Sequence, residues 1–79
     1  MKIEVDCYAG WKGEERPIRF RMHEHEYAVS ELLDQWYGPE HEFFKVLASD
    51  GNTYILRHQT SVPEGEWELV SYRSGRKQP

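Results

Sequence analysis

The segment MHEHEY, residues 22–27, places two histidines and two glutamates side by side and is the first place to look for chemistry. On a continuous strand His23 and His25 would project from the same face, where their neutral imidazoles could share a transition metal. A metal site needs three or four ligands, and His41 and His58 would have to converge on it from other strands. A turn between two strands requires only the polar residues themselves. We therefore interpret the segment as a turn and predict no bound metal and no other cofactor.

The sequence has no recognisable nucleophile with its partners. Its only cysteine, Cys7, alternates with Ile3 and Val5 and should share their buried face, where the thiolate is disfavoured. A dyad of Cys7 with His58 has no other support. The chain has no nucleophile elbow, no P-loop and no dinucleotide-binding glycine motif. These observations predict a protein that is not an enzyme.

A basic strand face is the first candidate for binding. Arg19 and Arg21 alternate along PIRFRM, and Lys45 and Arg57 are expected on the outer faces of neighbouring strands. Guanidinium groups beside exposed aromatic rings suit single-stranded nucleic acid, because they contact phosphates while the rings stack on bases. The net charge of −4 opposes such binding. Nucleic acid is therefore the alternative partner.

An aromatic patch is the second candidate. Trp11, Trp36 and Tyr37 lie beside glycines in predicted loops. If they are exposed together, they form the kind of aromatic, arginine-bordered patch that protein interfaces favour. We therefore expect a small module that binds a protein partner.

The elements that must position these residues are strands. Alternation of apolar and polar residues predicts them at 2–7, 17–22, 42–48, 53–58 and 66–72, and Asp50-Gly51 predicts a hairpin between two of them. About five short antiparallel strands must close into a small barrel or a tight sandwich to bury their faces. The predicted fold is mostly β.

The segment before Pro39 has two readings. Val29, Leu32, Leu33 and Trp36 have helical spacing, which favours a short helix over residues 30–37. A strand with one bulge would also turn Val29 and Leu33 inward. We favour the bulged strand, because an isolated helix of two turns is marginal.

Residues 1–73 should form a single domain, and the polar residues 74–79 a frayed tail. With one cysteine, no apolar leader and no membrane-spanning run, we expect a cytoplasmic protein away from membranes, either a monomer or a weak dimer. The expected core consists of the apolar residues on the inner strand faces: Ile3, Val5, Ile18, Phe20, Val29, Leu33, Phe44, Val46, Tyr54, Leu56, Trp67 and Leu69.

Four segments in this order resemble a small family of uncharacterised bacterial proteins along nearly the whole chain: CYAGWKGEERPIRF, ELLDQWYGP, FFKVLASDGNTYILRH and WELVSY. More loosely, the sequence is similar to the C-terminal module of catalytically inactive, Y-family-polymerase-like proteins of bacterial mutasomes. That likeness implies a role near DNA repair by association only. The family pattern has a glycine-containing basic turn where this chain has His23-Glu24-His25-Glu26, which further weakens the metal interpretation.

Overall fold

Six antiparallel strands make up the fold of the described residues, where the sequence predicts about five. The computed structural model describes residues 1–9, 15–61 and 65–73. The strands, in chain order, are β1 (Lys2–Ala9), β2 (Glu15–Met22), β3 (His25–Gly38), β4 (His41–Ala48), β5 (Thr53–Gln59) and β6 (Trp67–Arg73). The predicted frayed tail, residues 74–79, lies outside the described residues.

The strands close into a barrel in which each pairs with the next along the chain. The ring is completed between β1 and β6, where Lys2 pairs with Glu68 and Ile3 pairs with Trp67. The Leu69 amide also donates to the Met1 carbonyl at 2.7 Å. The prediction of a mostly-β, barrel-like fold is confirmed. We call the face that carries the buried side chains the inner face, and the opposite face the outer face.

The segment MHEHEY contains a turn, as predicted, and the turn is tighter than expected. Only His23 and Glu24 connect β2 to β3, and both have positive φ angles, of 51° and 64°. Positive φ at both central residues is the type I′ geometry, whose twist matches that of the flanking strands. His25 already pairs with Met22 across the turn. His23 and His25 therefore do not lie on one continuous strand.

The Asp-Gly hairpin is also confirmed. Residues 49–52 connect β4 to β5, and Gly51 has a φ of 86°, a conformation that glycine adopts without a steric penalty. The Gly51 amide donates to the Ala48 carbonyl at 3.0 Å. The Asn52 amide donates to Asp50 Oδ1, also at 3.0 Å. A further two-residue turn, Pro39-Glu40, joins β3 to β4, with a φ of 62° at Glu40.

The ambiguous segment before Pro39 is part of strand β3, and this strand is bulged, as we favoured. The alternative prediction, a short helix over residues 30–37, is wrong. The pairing with β4 shifts register between Val29 and Glu31 and again between Leu32 and Asp34. Two bulges replace the single one that the sequence predicts. Each bulge adds one residue to the two-residue repeat of a strand, so the inward positions fall at intervals of three. That spacing imitates the stripe of a helix.

The core lies on the inner face of all six strands. Its buried members are Ile3, Phe20, Phe44, Val46, Ala48, Tyr54 and Leu56. Val5, Met22, Tyr27, Val29, Leu32, Trp67 and Leu69 are partly buried against them. Phe20, Tyr27 and Tyr54 form the aromatic centre, with ring centroids 4.9–5.7 Å apart.

The prediction that Ile18 and Leu33 belong to the core is wrong. Ile18 is 44 % exposed and Leu33 is 43 % exposed. Both are the extra residue of a bulge: Cys7 pairs with Pro17 instead of Ile18, and Asp34 follows Leu32 in the pairing with β4. Pro17 is buried instead of Ile18. A bulge changes which residue points inward without changing the composition of the strand.

Candidate functional site

Strand β3 has a long edge that no other strand of the described residues covers. It pairs with β2 only from His25 to Ala28. From Val29 to Gly38 it pairs with β4 on one side, and its other side has no strand partner among the described residues. We call this the β3 open edge, residues 29–38. A strand edge presents backbone N–H and C=O groups to which another chain can hydrogen-bond.

Local sequence explains why β2 and β3 separate. Continuing the register beyond Arg19 and Ala28 would bring Pro17 opposite Ser30. Pro17 has no N–H to donate, so it cannot support the ladder at that point. The bulges at Ile18 and Ser30 also bend the two strands at this level. The open edge therefore follows from a proline and two bulges that meet across the strand pair.

The two predicted aromatic residues on β3 lie on opposite faces of the strand. Trp36 pairs with Phe43 on the outer face and stacks on its ring at 5.5 Å, with an interplanar angle of 4°. Tyr37 pairs with Glu42 on the inner face and is 73 % exposed. The expectation that both lie in loops is wrong. Trp11, the third predicted member, lies outside the described residues.

A row of polar and aromatic side chains continues the inner face from Tyr37 across the barrel. Successive strand pairs connect Tyr37 to Glu42, Glu42 to His58, and His58 to Trp67. The His58 ring stacks on the Trp67 ring at 4.3 Å. Gln35 Nε2 donates to Glu42 Oε2 at 2.6 Å and to the Tyr37 hydroxyl at 3.4 Å. The inner face is therefore apolar in its middle and polar beside the open edge.

Sequence reasoning missed this polar row, although a signal for it was present. Glu42 is in phase with the buried Phe44 and Val46, and His58 is in phase with the buried Leu56. A charged or titratable residue in phase with a core face indicates that this part of the face is not fully covered. The side chains of Glu42 and His58 are half-buried.

The arginines of β2 are already paired with carboxylates. Arg19 Nε lies 3.0 Å from Asp6 Oδ2 and 3.9 Å from a Glu26 oxygen. Arg21 lies 3.4 Å from Glu26, 3.6 Å from Asp6 and 4.0 Å from Glu4. Two cations therefore share three acidic side chains, and these five described side chains together carry no net positive charge.

The other predicted basic residues lie elsewhere on the barrel. Arg57 is on β5, three strands from β2 around the ring, and its Nη2 donates to Glu68 Oε1 at 2.5 Å. That hydrogen bond lowers the pKa of the Glu68 carboxyl. Lys45 is exposed on β4, where its cross-strand neighbours are Asp34 and Ile55. All four predicted basic residues lie on the outer face, but Arg19 and Arg21 are on a different side of the barrel from Lys45 and Arg57, so the four do not form one patch.

A separate cleft of about 630 Å³ lies between the start of β1, the β2–β3 turn and the start of β6. Its charged side chains are largely satisfied by one another: Lys2 lies 3.0 Å from Glu66, and Arg21 contacts Glu4. Within the described ranges, no three His, Cys, Asp or Glu side chains are grouped so that they could hold a metal ion. The β3 open edge is therefore the better candidate for a functional site.

Comparisons with protein-family models, with curated proteins and with solved structures found no match. The resemblance to a bacterial family and the link to DNA repair consequently stay predictions. Among the described residues there is no helix long and apolar enough to cross a lipid bilayer.

Proposed function

We propose that this protein is a non-enzymatic, cytoplasmic binding module that captures an extended segment of a protein partner along the β3 open edge. The observation that carries the proposal is the edge itself, which is ten residues long from Val29 to Gly38. Among the described residues, no strand pairs with this segment on the side opposite β4. Adding a strand to such an edge gains main-chain hydrogen bonds for affinity, and the side chains on the two faces supply specificity.

The opposite orientations of Trp36 and Tyr37 suit this mode of binding. Side chains of an added strand alternate between the two faces of the sheet. Those on the outer face would contact Trp36, and those on the inner face would contact Tyr37. Both aromatic residues would then contact the same partner. A partner with a flat surface could contact only one of the two, because they lie on opposite faces of the strand. Tyr and Trp are also the residue types in which binding energy concentrates at interfaces.

The carboxylates around Arg19 and Arg21 favour a protein over nucleic acid as the partner. A phosphate backbone would have to displace Asp6 and Glu26 from these arginines, and the chain as a whole carries a net charge of −4. Counterion release, the main source of nonspecific nucleic-acid affinity, requires cations that are available to phosphates. No observation favours nucleic acid as a second candidate.

The test is selection of linear peptides from a phage-displayed library on the immobilised full chain. Binding of each enriched peptide is then measured to the wild type and to Trp36→Ala, Tyr37→Ala and Tyr8→Ala. Tyr8 is a matched control, because it is an exposed tyrosine on a different strand, β1. We expect Trp36→Ala and Tyr37→Ala to weaken binding by about 1–2 kcal/mol each, the range of a substantial interface residue.

Tyr8→Ala should leave the same affinities unchanged. Amide shifts of isotope-labelled protein on adding an enriched peptide should concentrate in residues 29–38. A library that yields no binding peptide, or peptides whose affinity is insensitive to both β3 substitutions, would overturn the proposed function.

A further inference from the structure

The charges along β3 indicate what kind of segment the edge accepts. The strand has 14 residues, HEYAVSELLDQWYG, and contains Glu26, Glu31 and Asp34 but neither lysine nor arginine. Glu26 lies on the covered part of the strand, where it pairs with Arg19 and Arg21. The open part therefore carries only acidic charge.

Glu31 and Asp34 are not neutralised within the described part of the chain. Neither forms an ion pair there, although Lys45 is the cross-strand neighbour of Asp34. Both carboxylates are on exposed residues, and both are on the outer face, because their β4 partners Leu47 and Lys45 alternate with the buried Val46. Asp34 also accepts a hydrogen bond from the Gln35 amide at 2.8 Å.

A second copy of this chain is a poor occupant for the edge. Two β3 strands paired about a two-fold axis between Leu32 and Leu33 would place Glu31 of one copy opposite Asp34 of the other. Like charges on directly opposed strand residues are destabilising. The same carboxylates would favour a strand with positive charge.

From the edge geometry and this charge pattern, we propose that the occupant of the β3 open edge is a basic extended segment of a partner protein. Its lysine or arginine side chains lie on the outer face beside Glu31 and Asp34. Its alternate residues are apolar and lie on the inner face, near Leu32 and the ring of Tyr37. Cross-strand neighbours have Cβ atoms about 5 Å apart, which is within ion-pair reach of a lysine or arginine. This inference rests on the proposed function, since it names the chemistry of the segment that the edge binds.

The test uses three capped synthetic heptapeptides and the full chain. The first alternates lysine with valine, beginning and ending in lysine. The second has glutamate in place of each lysine. The third is the lysine peptide with every second backbone nitrogen methylated, which removes donors that an added strand needs. Affinities are measured by fluorescence anisotropy at low and at physiological salt.

We expect the lysine peptide to bind about twentyfold more tightly than the glutamate peptide, because attraction to the edge is replaced by repulsion. Backbone methylation should remove most of the affinity. Glu31→Gln combined with Asp34→Asn should weaken binding of the lysine peptide about fivefold, which is the scale of two exposed ion pairs. The Asn side chain retains an oxygen that can accept the Gln35 amide.

The control is Glu4→Gln combined with Glu24→Gln, which changes the net charge equally at exposed positions away from the open edge. It should leave the affinity within about twofold, since screening weakens distant exposed charges. Equal losses in both double variants would mean general charge attraction and would overturn the basic-segment inference. Equal binding of the lysine and glutamate peptides would overturn it too, and so would no binding of the lysine peptide. The peptide-library result decides the proposed function separately.

Discussion

The hydroxyl of the buried Tyr54 is hydrogen-bonded to Asp50, an exposed residue of the β4–β5 hairpin. The Tyr54 hydroxyl donates to Asp50 Oδ2 at 2.5 Å, and Asn52 Nδ2 donates to the same oxygen at 3.0 Å. Burial and the hydrogen bond to Asp50 raise the pKa of Tyr54 to about 12. Burial acts to raise the pKa of Asp50 as well, but the hydrogen bonds from Tyr54 and Asn52 outweigh it and lower that pKa. The ring of Tyr54 thus packs in the core, while its hydroxyl is hydrogen-bonded to the β4–β5 hairpin.

Replacing Tyr54 with phenylalanine should therefore destabilise the fold without emptying the core. We expect Tyr54→Phe to lower the free energy of unfolding by about 1.5 kcal/mol at pH 7, because hydrogen bonds to charged acceptors contribute roughly 1.5–3 kcal/mol. Urea denaturation followed by tryptophan fluorescence measures the change. An unchanged midpoint would mean that solvent replaces the hydroxyl at no cost.

The pH dependence of this difference follows from the raised pKa of Tyr54. Folding favours the neutral phenol, so its contribution is complete below the ordinary tyrosine pKa of 10.0 and is lost as the pH rises towards about 12. The stability difference between wild type and Tyr54→Phe should be constant from pH 7 to about 9 and shrink above about 10. A difference that stays constant to pH 12 would contradict the assigned coupling.

At the scale of elements, the β2–β3 turn is strained by its sequence. His23 and Glu24 both adopt positive φ, and this conformation costs a non-glycine residue roughly 1–2 kcal/mol. The pair most favoured in a type I′ turn is Asn-Gly. The chain closes this hairpin with residues that the turn geometry does not favour.

Exchanging His23-Glu24 for Asn-Gly should consequently stabilise the protein. We expect an increase in unfolding free energy of about 1 kcal/mol, since glycine removes the steric term at one position and asparagine reduces it at the other. Peptide binding should not change, because the turn lies at the covered end of β3. Thermal and urea unfolding measure the first effect and anisotropy the second. A lower stability would indicate that His23 or Glu24 contributes more than the turn conformation costs.

For the whole molecule, the distribution of charge matters more than the number of arginines. Arg19, Arg21 and Arg57 each lie within ion-pair distance of a carboxylate, and Arg57 on β5 lies on a different side of the barrel from the two arginines of β2. A single strand of nucleic acid follows one continuous positive groove. The described part of the barrel presents no such groove formed by these residues.

Single-stranded DNA should therefore bind weakly. We expect a labelled oligothymidine to bind with Kd weaker than about 100 μM at physiological salt, the weak end of nonspecific binding. Fluorescence anisotropy over a series of salt concentrations measures it. A micromolar Kd that weakens steeply with salt and is lost in Arg19→Glu with Arg21→Glu would reverse the order of the two candidate partners.

The sequence alone determined most of the strands, one of the hairpins and most of the core. Alternation located five of the six described strands to within a few residues, the favoured bulged strand before Pro39 is the sixth, and Asp50-Gly51 located a hairpin. These features depend on residues that are close together in the sequence, so they can be predicted without knowledge of the tertiary structure. Most residues of the expected core, such as Phe20, Phe44 and Leu56, are buried.

Only the tertiary structure decided which residues face the same side and which edge is open. The bulges that expose Ile18 and Leu33 are defined by the strands alongside, which are distant in sequence. The separation of β2 from β3 depends on Pro17 meeting a bulged part of β3, and the neutralisation of Arg19 depends on Asp6 lying across a strand pair. A strand sequence fixes the alternation of its own side chains, but their partners and exposure depend on register, which is set jointly by all the strands of the closed barrel.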